Sequence, residues 1–280
     1  MIALLRHFDL YDYCRGEHCS PLQYLKLGDN MKNNWDVKNY TDNFNFVHKY
    51  GEDVVDLITA PKGSFVVDLG CGNGALSEKI KEKGYNVIGI DASKQMLEKA
   101  ALLHPDIEFM LGDACEFVLS KNADAIFSNA VFHWINDQEA LIKNIAYNLK
   151  IGGELVFEFG GKGCAQTVHF ALAKSFEKYG KIYNNEFNFK SIGEFAPLLE
   201  KYGFRVEFAT LFDRPTVQIG EDGLENWINM FCLSAFDNVD KQTKNNIIKD
   251  AVQMCKPNLY RNGKWYVDYV RLRMKAVKKV

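Results

Sequence analysis

The chain has 280 residues, 47% of them hydrophobic and 25% charged, with a formal net charge of -2; that is enough for one large α/β domain, and it provides no general basic field to hold nucleic acid or anionic lipid. No apolar run reaches the roughly 18 residues of a membrane helix, and the N-terminal MIALLRHFDLYDY is too acidic and too short in its apolar part for a signal peptide, so a cytoplasmic protein acting on small molecules is expected. Seven cysteines, at 14, 19, 71, 115, 164, 232 and 255, show no disulfide framework, and the cluster of Cys14, His18 and Cys19 lacks the second ligand pair a structural zinc site needs; no metal is expected.

Residues 1–30 fit poorly with the rest of the chain, and two readings stand level. One is an extra N-terminal helix. The other is a start of translation at Met31, since Leu27, Gly28, Asp29 and Asn30 can be encoded by TTA GGA GAT AAT, a purine-rich stretch placed like a bacterial ribosome-binding site.

From Phe65 onward, short apolar runs alternate with amphipathic helical patterns, the signature of a parallel sheet with helices on both faces. The strands read FVVDL (65–69), NVIGI (86–90), IEFM (107–110), DAIFS (124–128) and GELVFEF (153–159). Helices are expected near 75–83, 93–103 and 137–148, with Ser93 and Asn136 as N-caps and with Gly84 and Gly152-Gly153 at the C-terminal stops. Beyond Gly160 the pattern predicts a helix over 191–202, a strand over 204–212, a helical insertion over about 222–255 and a last strand over 265–277. That strand alternates, with Val270, Leu272, Met274 and Ala276 on one side and Tyr269, Arg271, Arg273 and Lys275 on the other. The insertion stands where it could cover a pocket at one end of the sheet.

The specific stretch is VVDLGCGNGALS, residues 66–77. Gly70, Gly72 and Ala75 satisfy G-x-G-x-x-G/A, and Asp91 closes the second strand at a suitable distance, a pattern that by itself permits a nicotinamide or flavin dinucleotide. Asp68 discriminates. A dinucleotide sets its pyrophosphate over this turn, where helix N-terminal N–H groups attract negative charge and a neighbouring carboxylate repels it. A ligand with an ammonium group suits Asp68 better, and S-adenosylmethionine is such a ligand.

D-L-G-C-G-N-G (68–74) resembles the first motif of class I S-adenosylmethionine-dependent methyltransferases. GIDAS (89–93), GDA (112–114), DAIFSNAVFHWI (124–135) and LKIGGELVFEF (149–159) are similar to the later motifs, in the same order. Alone, the glycine turn is weak, Asp91 could merely cap a helix and Asp113 could be a turn residue; the motifs taken together in order are specific. The resemblance implies a Rossmann-like, doubly wound, mostly parallel seven-stranded sheet with helices on both faces and a helical insertion before the last strand. It implies a helical lid over 31–60, a cofactor-binding core over 61–160 and a C-terminal half over 161–280.

The same resemblance implies roles. Asp68 would lie on the ammonium side of S-adenosyl-L-methionine, with Gly70, Cys71, Gly72 and Gly74 permitting close backbone approach. Asp91 would accept from both ribose hydroxyls. Ala92 and Met96 would line the adenine pocket, Asp113 would receive the adenine amino group, and Ala114 would offer its backbone. Asn129 would neighbour the methionine part, and Tyr40, with Trp35 and Phe44, would belong to the lid. His133 would face the methyl end, where an imidazole could take a proton, orient a substrate or simply line the site.

The segments FNFKSIGEFAPLLEKYGFRVEFATLFDRP and GLENWINMF resemble the trans-aconitate methyltransferase-like branch, which implies a small-molecule acceptor, a carboxylate among the candidates. A carboxylate needs a cation rather than a base, and Arg214, Arg261, Arg271 and Arg273 are available, at least two of them expected on a solvated face of the last strand. SNAV replaces the Asn-Pro-Pro-Tyr type of tetrapeptide, which argues against adenine or glutamine N-methylation. No nucleic acid or membrane partner is expected, and the chain would be a monomer or homodimer. The alternatives are an S-adenosylmethionine-binding protein without transfer activity and an NAD-dependent enzyme on a similar sheet.

Overall fold

The computed structural model describes residues 46–280, with side chains from residue 51. Tyr40, Trp35, Phe44, the whole of 1–30 and the cluster of Cys14, His18 and Cys19 therefore lie outside the described residues.

Runs of β-branched and aromatic residues build the centre of the sheet, where the strands are covered on both faces and need no polar side. The strands β1 (Phe65–Leu69), β2 (Asn86–Asp91), β3 (Glu108–Leu111), β4 (Ala123–Asn129) and β5 (Leu149–Gly160) are parallel. β6 (Phe204–Gln218) and β8 (Lys264–Lys278) pair antiparallel, and the two-residue β7 (Tyr260–Arg261) closes a hairpin with β8. The order is β3-β2-β1-β4-β5-β8-β6. β8 enters between β5 and β6, antiparallel to both.

Alternation along β1 divides its side chains between two layers. Val67 and Leu69 join Leu155, Phe157 and Phe159 of β5 under α4 (Gln138–Asn148) and α6 (Ile192–Lys201). Val66 joins Phe127 and Val156 under α1 (Phe46–Val55) and α2 (Ala75–Glu82). α3 (Lys94–Leu103) connects β2 to β3. A third cluster forms where α5 (Gln166–Lys178), α7 (Gly223–Phe231) and α8 (Lys241–Leu259) gather around Trp265 and Val267 of β8.

Ser93 caps α3 by accepting from the Met96 N–H, and Gly84 follows α2 at φ 91°. Two other boundary expectations need correction. The cap of α4 is Asp137, whose carboxylate accepts from Ala140 N–H, because its side chain and not that of Asn136 reaches the third residue of the helix. Gly152 and Gly153 stop no helix: α4 ends at Asn148, and the two glycines lie inside β5 where its register against β4 shifts. A Cβ at Gly153 would stand 2.9 Å from the Lys150 carbonyl and 3.1 Å from that of Asp124, so glycine permits the bulge.

Candidate functional site: a glycine turn beside an aromatic cavity

The chain leaves β1 toward β2 and β3 on one side and later returns to build β4 and β5 on the other. The loops after β1 and β4 thus part at the carboxyl ends of the strands and leave a crevice, where open α/β sheets take their ligands.

The loop after β1 is fixed by its backbone. The N–H groups of Gly70 and Cys71 both donate to the Ile90 carbonyl, at 2.7 and 3.0 Å. Gly70, Gly72 and Gly74 all have positive φ, at 76°, 55° and 81°. A Cβ on Gly70 would stand 2.2 Å from Val131 Cγ2, and one on Gly74 would strike the Phe109 ring at 2.8 Å, whereas among the described residues nothing lies within 4 Å of such an atom on Gly72. The first and third glycines are demanded by packing. The second leaves a cradle among the described residues whose floor is bare backbone.

Two carboxylates flank that cradle, at the ends of neighbouring strands. Asp91 Oδ2 accepts from Gly72 N–H at 2.9 Å and Oδ1 from Ser93 N–H at 2.8 Å. A carboxylate offers about four acceptor sites, so capacity for a further donor remains. Asp68, 2% exposed, accepts from Ser77 Oγ at 2.6 Å. Burial pushes its carboxyl up to about 7, against the Ser77 hydrogen bond and with a contribution from the charge of Asp91. Burial likewise raises Asp91, although the N–H groups of Ser93, Gly72 and Ala92 oppose the shift. Two acids this close, one buried and one half-buried, fit a ligand that brings an ammonium and hydroxyl donors and repel one that brings a pyrophosphate.

The remaining predicted positions follow β2 and β3 or end β4. Met96 is buried and Ala92 exposed at the start of α3. Asp113 and Ala114 are half-buried after β3, with Asp113 Oδ1 accepting from Cys115 N–H at 2.7 Å. Asn129 is buried at the end of β4. Gly51 of α1 approaches so closely that a Cβ there would stand 3.1 Å from Asn129 Nδ2 and 2.5 Å from Leu76 Cδ1.

Residues 67–157 match the family described as a methyltransferase domain. Over 261 residues the chain is 30% identical to an uncharacterized methyltransferase of Schizosaccharomyces pombe, covering 87% of this chain and 98% of that one. The chain belongs to the class I S-adenosylmethionine-dependent methyltransferases. A stretch of 93 residues is 39% identical to trans-aconitate 2-methyltransferase of Agrobacterium fabrum, covering 32% of this chain and 36% of the relative. The fold also matches Haemonchus contortus phosphoethanolamine N-methyltransferase 2 bound to S-adenosylhomocysteine, with a TM-score of 0.54, 17% identity and coverage of 87% and 57% of the two chains. The enzyme is thus a methyltransferase whose cofactor is S-adenosylmethionine, which supplies an electrophilic methyl group on a sulfonium.

Beside the turn of this methyltransferase, at the ends of β4 and β5, lies a cavity of about 70 Å³. Its walls come from five separate segments, carrying His133 and Trp134, Cys164 and Ala165, Phe187 and Phe189, Trp227 and Phe231, and Tyr269 and Arg271. Trp227 Nε1–H donates to Tyr269 Oη at 2.6 Å, and Trp134 meets Phe187 with ring centres 4.5 Å apart. Two corners of the wall are strained: Ala130 and Ala165 have φ of 62° and 52°, a conformation that costs a non-glycine residue free energy and clusters at functional sites.

Among the residues read from the sequence, His133 and Arg271 reach this cavity. The expected solvated face of β8 is not found. Arg271, Arg273 and Arg214 converge on Glu158, whose side chain is fully buried, with nitrogen–oxygen distances of 3.1, 2.7 and 2.6 Å. β5 places a carboxylate on the same side of the sheet as the arginines of β8. Arg261 lies elsewhere, 4.2 Å over the Tyr266 ring. Burial alone would push the Glu158 carboxyl up, but the guanidinium charges of Arg271, Arg214 and Arg273 hold it below the usual range.

The aromatic walls escaped sequence reasoning, and so did Ser77 and Phe109. Of these, only Ser77 carried a signal, an oxygen at the turn of α2 that faces β1. Among the described residues no group of three His, Cys, Asp or Glu side chains is placed to hold a metal ion, and no helix is long and apolar enough to cross a membrane.

Proposed function

We propose that the enzyme transfers the methyl group to a small molecule seated in the aromatic cavity, a carboxylate being the acceptor the walls favour. The observation that carries this reading is the adjacency of two unlike sites. The glycine turn, with Asp68 and Asp91, stands after β1 and β2, and one strand over the cavity opens after β4 and β5 with an arginine in its wall. In this reading Asp91 takes the ribose hydroxyls, Asp68 the ammonium, and Gly70, Cys71, Gly72 and Gly74 the close backbone approach. Met96 and Ala92 with Asp113 and Ala114 border the adenine, and Asn129 the methionine part. Residues 31–60 act as a lid and 161–280 as the acceptor half.

Methyl transfer from a sulfonium is an in-line displacement, so the protein's task is alignment and exclusion of water. Arg271 lines a mostly aromatic cavity while its Nε holds Glu158. A guanidinium in such a wall suits an anionic acceptor. The relation to trans-aconitate 2-methyltransferase points the same way.

Incubating the enzyme and a metabolite extract with methyl-labelled cofactor, then identifying what becomes heavier, tests the acceptor. A small carboxylate is expected, and labelling confined to nucleic acid or protein would overturn the reading. For the cofactor site, Asp91→Ala should weaken S-adenosylhomocysteine by about 1.5 to 3 kcal/mol in isothermal titration, the scale of hydrogen bonds to a charged group. Unchanged affinity would place the ribose elsewhere.

A further inference from the structure

Few groups in the cavity wall could exchange a proton near neutrality. No aspartate or glutamate is among the described residues that line it. The Cys164 thiol is pushed up to about 11 by burial, and the Tyr269 hydroxyl accepts from Trp227. Among the described lining residues that leaves the imidazole of His133, and the fold assigns its two nitrogens.

The backbone N–H of Gly160 donates to His133 Nδ1 at 3.3 Å. A nitrogen that accepts a hydrogen bond carries a lone pair, and a neutral imidazole has one such nitrogen, so the ring hydrogen resides on Nε2. The ring is held in that orientation. Phe159 stacks on one side with centres 6.4 Å apart and 15° between planes, and Phe189 on another at 5.8 Å and 29°. The Asn188 N–H fixes the His133 carbonyl at 2.8 Å. Rotating the ring by half a turn would set a C–H against the Gly160 N–H and strand that donor in a buried place. Burial first, and then the charge of Arg271, holds the imidazolium form well below the usual histidine range. Among the described residues no acceptor meets Nε2.

We infer that His133 is a hydrogen-bond donor to the acceptor substrate through Nε2–H and not the base that deprotonates it, so that the acceptor atom enters with its lone pair already available. This rests on reading the aromatic cavity as the acceptor site. Together with the Arg271 guanidinium it gives the cavity two donors of different reach for one oxyanion. For a carboxylate the step balances without proton transfer. One oxygen forms a bond to the methyl carbon, the carbon–sulfur bond breaks with its pair going to sulfur, and the carboxylate and sulfonium charges vanish together. The other oxygen keeps the His133 hydrogen bond throughout.

The tautomer is read directly from the full chain labelled with nitrogen-15 histidine. Two-bond proton–nitrogen correlations distinguish Nε2–H, Nδ1–H and imidazolium for each of the six histidines, and His133→Gln identifies the signal. The expected pattern is Nε2–H, unchanged across about pH 6 to 8; an Nδ1–H pattern, or a ring that titrates in this interval, overturns the inference. With S-adenosylhomocysteine bound, acetate then serves as the oxyanion probe. The Nε2–H resonance should shift saturably, and acetate should bind about tenfold more weakly to His133→Phe, with His133→Gln restoring most of the loss through its amide N–H. No shift in the wild type, or equal weakness in the two variants, overturns the donor role. The labelled-cofactor screen of a metabolite extract checks the acceptor reading by itself, since the tautomer is measured without any ligand.

Discussion

Asp68 is a residue whose acid chemistry changes when the fold closes around it. Its carboxyl stands at about 7 in the free protein because burial removes it from water and Ser77 compensates only in part. The sign comes from linkage. A folded-state value above the unfolded one means that the folded chain holds an extra proton between roughly 4 and 7, so this group's contribution to stability declines as pH rises through that interval. A cationic ligand reverses the preference by favouring the ionised form. Affinity for S-adenosylhomocysteine should therefore fall by about tenfold per pH unit below about 7, with a proton released on binding. Titrations in buffers of different ionisation enthalpy measure that proton, and Asp68→Asn should remove both the slope and the release. An affinity flat from pH 5.5 to 8, roughly the span over which such a group changes charge, would place the ammonium elsewhere.

At the scale of elements, the join between β5, β8 and β6 is the least ordinary part of the sheet. One buried carboxylate, Glu158, faces three guanidinium groups. Removing the common partner of a buried cluster leaves like charges uncompensated, at a cost of about 3 to 5 kcal/mol. Glu158→Gln should lower the melting temperature by roughly 10 °C, whereas Glu82→Gln, which breaks the exposed pair with Lys79, should leave the melt where it was. Thermal unfolding of the two variants side by side separates a buried cluster from surface ion pairs.

This join also marks where the sequence stopped being legible. The strands β1 to β5 declare themselves because short, mostly apolar runs alternate with helical patterns, and FVVDL or DAIFS leaves little else to be. In β8 the run of Arg271, Arg273 and Lys275 looks like a solvated face, since alternation by itself cannot reveal that Glu154 and Glu158 wait on the next strand. The backbone of the glycine turn is legible in its three glycines, all of which have positive φ, with two acids nearby at strand ends. The aromatic cavity was not. Phe187, Trp227 and Tyr269 are separated by some forty residues each, and only the folded chain brings them together.

For the whole molecule, cofactor binding and folding are one equilibrium. The cradle joins β1, β2 and α2, so a ligand there binds the folded chain and has little to hold in the unfolded one. At a hundred times its dissociation constant, S-adenosylhomocysteine should stabilise the protein by about 2.7 kcal/mol. For a chain of this size that corresponds to a rise in melting temperature of roughly 5 to 10 °C. A fluorescence-monitored melt over a ligand series tests this, and an unmoved midpoint under saturation would contradict binding to the native state.

Of the cavity's five wall segments, the one carrying Trp227 and Phe231 lies on α7, inserted between β6 and the final hairpin. The two strands it interrupts are paired to each other along their length, from Phe204 opposite Lys278 to Gln218 opposite Trp265. The insertion is therefore stitched into an already closed seam, and it packs with α5 as part of the third cluster. On the proposed reading of the cavity, substituting Phe231, which lines it at the edge of that cluster, would change the choice of acceptor while affinity for the methyl donor stayed the same.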